Sequence, residues 1–371
     1  MHEKGGNSLK VAIVVKGFPP ETIGGTELAT EKIAGYLSKA GIEVHVITGG
    51  SQKERKLEQR DSFYVHWVFL KRGIRGILSR FLVLRRVLRE IQPDIIHAQG
   101  LYSESIFAVH FGKRMGVPVV VAPRGSDILR ARSFTISILS RLVLRRADLV
   151  LVQNEFMRNV CEKIAGKLET ANFPNGIDFI PVKSEKKGYI LFVGRLHRVK
   201  GVDVLMEAAA EVLKKKKIHF LIVGTGEEEG RLREIVRSKK IESYVHFKGK
   251  KSGEDLRKLM GEAEVLVLPS RSEAFPLTVV EALAAGTPVI ASRVGGVAEI
   301  IRNEREGLLV PPEDPKALAE AILYLMENRE LREELMENAR KRAKGYLWED
   351  IVRELIRYYE EVLRKYSIHP Y

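Results

Sequence analysis

The chain has 371 residues, of which 45% are hydrophobic and 30% charged, and a formal net charge of +14. That length exceeds one ordinary core and suits two domains, while the lack of any run of eighteen apolar residues excludes a membrane-spanning helix. A single cysteine, Cys161, excludes a disulfide framework.

The opening MHEKGGNSLK lacks the apolar stretch of a signal peptide, and the single cysteine makes the cytoplasm the expected compartment. Five glutamines and one cysteine against thirty-nine glutamates lean towards a thermophile. The charge is uneven. Residues 1–183 hold 28 Lys and Arg against 17 Asp and Glu, and the remainder 34 against 31. Excess positive charge in the first half points to an anionic partner such as a membrane surface, a phosphorylated acceptor or nucleic acid.

Val11 to Val15 read as a first strand, and the loop Lys16 to Glu27 leads into a helix reaching about Ser38. VHVIT, Val44 to Thr48, completes a strand–helix–strand unit. The first turn has no G-x-G-x-x-G, but Gly24 and Gly25 stand before the helix, where backbone N–H groups can approach an oxyanion. Lys71 to Glu90 form an amphipathic helix with arginines at 72, 75, 80, 85, 86 and 89. Its apolar stripe fits a crossover helix packed on the sheet; the arginines also fit peripheral contact of Lys71 to Arg89 with an anionic membrane. PDIIHAQG, Pro93 to Gly100, is a strand with His97 and Gln99 at its carboxyl end, the side on which such sheets hold ligands. PVVVAPRGSD, Pro118 to Asp127, repeats that geometry with Arg124, Gly125, Ser126 and Asp127 at the tip. An arginine there can hold a phosphate or a carboxylate. Asn175-Gly176 is a turn by its own chemistry, and the polar run Pro181 to Gly188 reads as a linker.

A second domain starts with the strand YILFVG, Tyr189 to Gly194, followed by RLHRVKG and a helix from Val202. Arg195 and Lys200 flank a loop entering a helix N-terminus, an arrangement that can neutralise a diphosphate. Gly224, Gly226 and Gly230 miss the dinucleotide fingerprint spacing, and Glu227 to Glu229 would repel a pyrophosphate. VHFKGK, Val245 to Lys250, is a short strand with its loop. The strand VLVLP, Val265 to Pro269, then a polar loop with Glu273 and a helix after Pro276 carrying Glu281, make a further anion-ready helix N-terminus. The two carboxylates in it fit hydroxyl groups as partners, and a ligand with both phosphates and hydroxyls is a nucleotide sugar.

Here the sequence resembles the retaining glycosyltransferases of the GT-B fold, family 4. Glu273-Ala-Phe275-Pro276-Leu-Thr-Val-Val-Glu281 is similar to that family's E-x-F-G-x4-E, with Pro276 in place of the glycine, and Gly194-Arg195 with Lys200-Gly201 matches its phosphate clamp. The resemblance implies an α/β fold of two Rossmann-like doubly wound parallel-sheet domains facing across a cleft. Residues 1–183 would bind the acceptor, residues 184–345 the nucleotide sugar, and a helix in 346–371 would return to the first domain. It implies Arg195 and Lys200 on the departing diphosphate, Glu273 on sugar hydroxyls and Glu281 on ribose. It implies donor contacts from Gly24, Gly25, Arg124, Asp127, Gly194, Lys250, Phe275, Pro276, Leu277 and Thr278, with His97 and Gln99 towards the acceptor. Relatives commonly carry a histidine where Arg124 stands. The implied reaction moves a hexosyl unit to a hydroxyl of a glycan, lipid-linked or phosphorylated acceptor, with no cofactor. No Asp-x-Asp pair occurs and the nine histidines lack ligand spacing, so metal independence is expected. An epimerase of the same fold and a basic nucleic-acid-binding protein are the alternatives; the second lacks aromatics interleaved on a basic face.

Overall fold

Parallel strands buried on both faces read as continuous apolar runs, and such runs recur through both halves of the chain. The computed structural model describes residues 8–50, 55–69, 74–101, 103–125, 127–128, 134–178 and 184–368. Residues 71–73 of the basic segment, Ser126 of the loop tip and residues 181–183 of the expected linker lie outside the described residues. Two compact units result, the first containing the chain up to Gly176 and again from Trp348, the second being Ile177–Leu347.

In the first unit β1 (Lys10–Val15), β2 (Glu43–Gly50), β3 (Lys56–Arg60), β4 (Phe63–Phe69), β5 (Ile95–Gln99), β6 (Val119–Ala122), β7 (Leu149–Val152) and β8 (Thr170–Asn172) form one sheet. Its order is β3-β4-β2-β1-β5-β6-β7-β8. Every pairing is parallel except β3 with β4, a hairpin turned at Asp61 and Ser62. Helices α1 (Gly25–Lys39), α2 (Ile74–Ile91), α3 (Ser103–Met115), α4 (Phe134–Arg146) and α5 (Glu155–Ala165) connect the strands. On α2, Leu84, Val87, Leu88 and Ile91 are buried while Leu82 and Arg85, Arg86 and Arg89 are exposed. The described part of the apolar stripe therefore faces the protein, and among the described side chains of α2 only Leu82 is left as a large exposed apolar group for a bilayer.

In the second unit the strands are β9 (Tyr189–Val193), β10 (His219–Val223), β11 (Val245–Gly249), β12 (Val265–Leu268), β13 (Val289–Ser292) and β14 (Gly307–Val310). They pair in parallel in the order β11-β10-β9-β12-β13-β14. The connecting helices are α6 (Val202–Lys215), α7 (Glu229–Ser238), α8 (Gly253–Glu262), α9 (Leu277–Ala284), α10 (Val297–Ile300), α11 (Pro315–Glu327) and α12 (Arg329–Ala343). Ile190 and Phe192 belong to one buried cluster and Tyr189, Leu191 and Val193 to another, so apolar layers cover both faces of the sheet.

The last helix, α13 (Trp348–Ile368), is part of the first unit. Trp348, Ile351, Val352, Leu355, Tyr359 and Val362 follow helical spacing and join the buried cluster of β1, β2 and α1. Burial of each large apolar side chain contributes roughly 1.5–3 kcal/mol, which explains why the chain returns to this unit. Trp348 also fixes the exit turn, since a Cβ on Gly176 would collide with its indole. Among the described residues no helix is long and apolar enough to cross a membrane.

Candidate active site

Sheet order decides where the second unit can hold a ligand. Chain progress runs from β9 outward through β10 and β11 on one side and resumes at β12 on the other. The carboxyl ends of β9 and β12 thus flank a topological switch point, where open α/β sheets bind ligands. Two loops leave it, one running from Gly194 to Gly201 and one from Pro269 to Pro276.

These loops are bolted together. Gly201 adopts φ +63° and lies against the Pro269 carbonyl, so that any Cβ there would clash with the carbonyl oxygen. Arg271 donates its amide N–H to the Val199 carbonyl at 2.8 Å and its Nη1 to the Arg198 carbonyl at 2.6 Å. Its guanidinium also forks onto Asp203 of α6 at 2.9 and 3.0 Å, which raises its pKa further. Neither Arg271 nor Asp203 stands out in the sequence, because a surface arginine and a helix-start aspartate are ordinary until the fold joins them.

Across this junction Lys200 Nζ donates to Glu273 Oε1 at 2.6 Å, and Ser270 Oγ donates to the same oxygen at 2.6 Å. Glu273 is buried, and its Oε2 has no partner among the described residues. The structure therefore brings together Lys200 and Glu273, for which separate roles were expected. Arg195 is exposed and makes no ion pair or hydrogen bond through its side chain among the described residues. Pro276 is the N-cap of α9, which begins after it as expected. It carries no side-chain cap, so the first N–H groups of α9 face outward from the helix end. Glu281, one turn on, is partly exposed and has no hydrogen-bond partner among the described residues; burial pushes its carboxyl up to about 7. Leu277 and Phe275 pack against the buried cluster, Phe275 edge-on to Tyr346, while Thr278 is half-buried. Lys250 is exposed beyond β11. Gly194 follows β9 and lies beside Gly224, whose φ of +140° and contact with the Gly194 carbonyl leave no room for a side chain. Loop packing thus accounts for that glycine.

In the first unit His97, Gln99, Arg124 and Asp127 form a second constellation, while Gly24 and Gly25 stand at the start of α1. Gly24 caps α1 without a side chain, and Glu27 folds its carboxylate back over Gly24; Gly25 has open space where a Cβ would stand. His97, in the middle of β5, and Gln99, at its end, are fully buried. His97 Nδ1 meets the Tyr359 hydroxyl at 2.5 Å and Gln99 Nε2 meets His97 Nε2 at 3.2 Å. Burial lowers the His97 pKa to about 3, so the ring is neutral. Arg124 Nε donates to Gln99 Oε1 and its Nη1 to Asn175 Oδ1, both at 2.7 Å. The Asp127 carboxylate accepts the N–H groups of Leu101, Arg124 and Ile128, so it staples its own loop. Among the described residues no group of three His, Cys, Asp or Glu is placed to hold a metal ion.

The family model "Glycosyl transferases group 1" matches residues 176–342 and "Glycosyltransferase Family 4" matches residues 23–179. The chain belongs to glycosyltransferase family 4. An uncharacterised glycosyltransferase of Methanocaldococcus jannaschii is 28% identical over 92% of this chain and 95% of its own. A D-inositol 3-phosphate glycosyltransferase of Corynebacterium urealyticum is 35% identical, over 49% of this chain and 44% of its own. Among solved structures, a sucrose-phosphate synthase of Thermosynechococcus elongatus gives a TM-score of 0.84 at 22% identity, covering 96% of this glycosyltransferase and all of that chain. Anabaena HepE in complex with UDP-glucose gives 0.76 at 19%, covering 95% and 100%. Both share the two-unit GT-B fold with this enzyme.

Proposed function

We propose that this glycosyltransferase moves a hexosyl unit, with retention of configuration and without a metal ion, from a nucleotide-diphosphate sugar to an acceptor hydroxyl. The observation that carries the reading is the switch-point cluster, in which an uncommitted Arg195 and the Lys200–Glu273 pair stand beside the uncapped start of α9. Arg195 and Lys200 stabilise the diphosphate as its bond to the anomeric carbon breaks, the largest electrostatic contribution available to such a reaction. Lys200 keeps further N–H donors after meeting Glu273. Glu273 Oε2 accepts from sugar hydroxyls and Glu281 from the ribose. The acceptor oxygen bonds to the anomeric carbon on the face that the diphosphate leaves, and its proton passes to a leaving-group oxygen, so no separate base is required. The neighbour that holds UDP-glucose makes that compound the first donor to test.

A panel of nucleotide-diphosphate sugars tested for protection against thermal unfolding decides the matter, because a ligand at a hundred times its Kd stabilises by about 2.7 kcal/mol. The expected result is protection by at least one donor, lost in Arg195→Ala. The reading fails if no nucleotide sugar protects, or if Arg195→Ala and Lys200→Ala both turn over normally.

A further inference from the structure

The guanidinium of Arg124 is held in an unusual way. It offers five N–H donors, and the residue is only 7% exposed. Nε and Nη1 meet the amide oxygens of Gln99 and Asn175, both neutral. The Phe173 ring lies 5.6 Å below. Nη2 is buried with no partner among the described residues. The nearest loop carboxylate, Asp127, is occupied by backbone N–H groups of Leu101, Arg124 and Ile128.

The orientation of this arginine is fixed from behind. Gln99 Nε2 meets His97 Nε2, and the ring's other nitrogen meets Tyr359 of α13. That chain leaves Gln99 Oε1 directed at Arg124 Nε, and the fork cannot turn without breaking it. A structural arginine in such a place would ordinarily meet a carboxylate in a two-pronged pair. Here amide dipoles hold the group in place, and among the described residues Nη2 is left without an acceptor.

We propose that Arg124 Nη2 receives an oxyanion, a carboxylate or phosphate oxygen, carried by the acceptor. The proposal rests on the glycosyltransferase reading and adds to it that the acceptor is anionic. Nη2 is covered in this structure, so the incoming group displaces part of its cover. Tyr359, His97, Gln99 and Asn175 are positioning residues for that contact.

The test uses the full chain carrying Arg195→Ala and Lys200→Ala, which removes the expected donor-phosphate clamp, and titrates inorganic phosphate and malonate by calorimetry. At least one of the two anions should bind. Arg124→Gln should weaken it by roughly tenfold to a hundredfold, and Arg124→Lys by less, since the charge remains but the fork is lost. Asn175→Asp should weaken it as well by placing a carboxylate on Nη1. If Arg124→Gln does not fold, the Lys and Asp variants decide. Equal affinity with and without these changes overturns the proposal, as does absence of anion binding. In parallel, the otherwise unaltered chain is titrated with UDP-glucose and UDP-glucuronate. An Arg124-dependent gain for glucuronate would assign the anion to the transferred sugar and overturn the acceptor assignment. Failure of every nucleotide to bind would instead sink the donor reading, leaving the anion result to stand on its own.

Discussion

Replacing Glu281 by Gln isolates one carboxyl group and separates its effect on stability from its effect on donor binding. The carboxyl has a reference pKa of 4.5 and is pushed up to about 7 by burial alone. Unfolding returns it to the reference value, so between these limits the folded chain binds more protons than the unfolded one. Stability is therefore unimpaired below about pH 4.5 and falls as pH rises, with the loss complete above about pH 7. At about 1.36 kcal/mol per pH unit the gap corresponds to roughly 3 kcal/mol, and partial exposure of the side chain trims this to about 2 kcal/mol. Urea unfolding of both proteins at pH 4.5 to 8.5 reads it directly, since every other carboxyl cancels in the difference between the two curves. Parallel curves would refute the assignment. Ribose hydroxyls donate best to the ionised carboxylate, so donor affinity should also rise as pH passes through 7 in the wild-type enzyme and lose that rise in Glu281→Gln. The same slope in both would remove Glu281 from the nucleotide site.

Three further outcomes follow from the switch-point geometry. Arg195→Ala should leave the urea midpoint within about 0.5 kcal/mol of wild type, because no described partner is lost, whereas Lys200→Ala should cost about 1–3 kcal/mol by leaving buried Glu273 with Ser270 alone; equal effects would contradict the ion pair. Gly201→Ala should destabilise by about 3 kcal/mol or more through its left-handed φ and the Pro269 carbonyl, while Gly230→Ala on α7, in open space, should gain up to about 1 kcal/mol of helix propensity. Thermal melts of the two separate these readings. Treatment with EDTA should leave transfer unchanged, and a loss restored by added Mg²⁺ or Mn²⁺ would reverse the metal-independent reading.

Much of the architecture is legible in the chain because apolar runs declare themselves. VAIVV at Val11 and YILFV at Tyr189 cannot be soluble unless both faces are covered, and they become β1 and β9. The sheet margins are not legible in that way. KLEQR of β3 is polar because an edge strand faces water, and TAN of β8 is only three residues long. What joins distant loops is harder still. Lys200 and Glu273 are 73 positions apart and His97 and Tyr359 are 262 apart, so each pair reads as isolated residues until the strand order is known. Arg124 is legible as a loop-tip arginine able to hold an anion, but nothing local marks that it would be enclosed by Gln99, Asn175 and Phe173.

The two units treat their cations in opposite ways, and this difference carries chemical meaning. Arg195 is exposed and uncommitted, and Lys200 shares a carboxylate that it can release; such groups can follow a diphosphate as charge develops on it. Arg124 is enclosed and cannot shift, its fork set by a line of hydrogen bonds running back to α13. A rigid donor suits a charge that is present before and after the reaction and has to be located rather than stabilised anew. Tyr359→Phe tests this division. It removes the hydroxyl that anchors His97 and should slacken Arg124 without touching either loop of the second unit. The expected outcome is a raised KM for an anionic acceptor with donor affinity unchanged, measured by initial rates against calorimetric binding of the nucleotide. A loss of donor affinity instead would show that the first unit's network serves the same charge as the switch point, and the division of labour would fall.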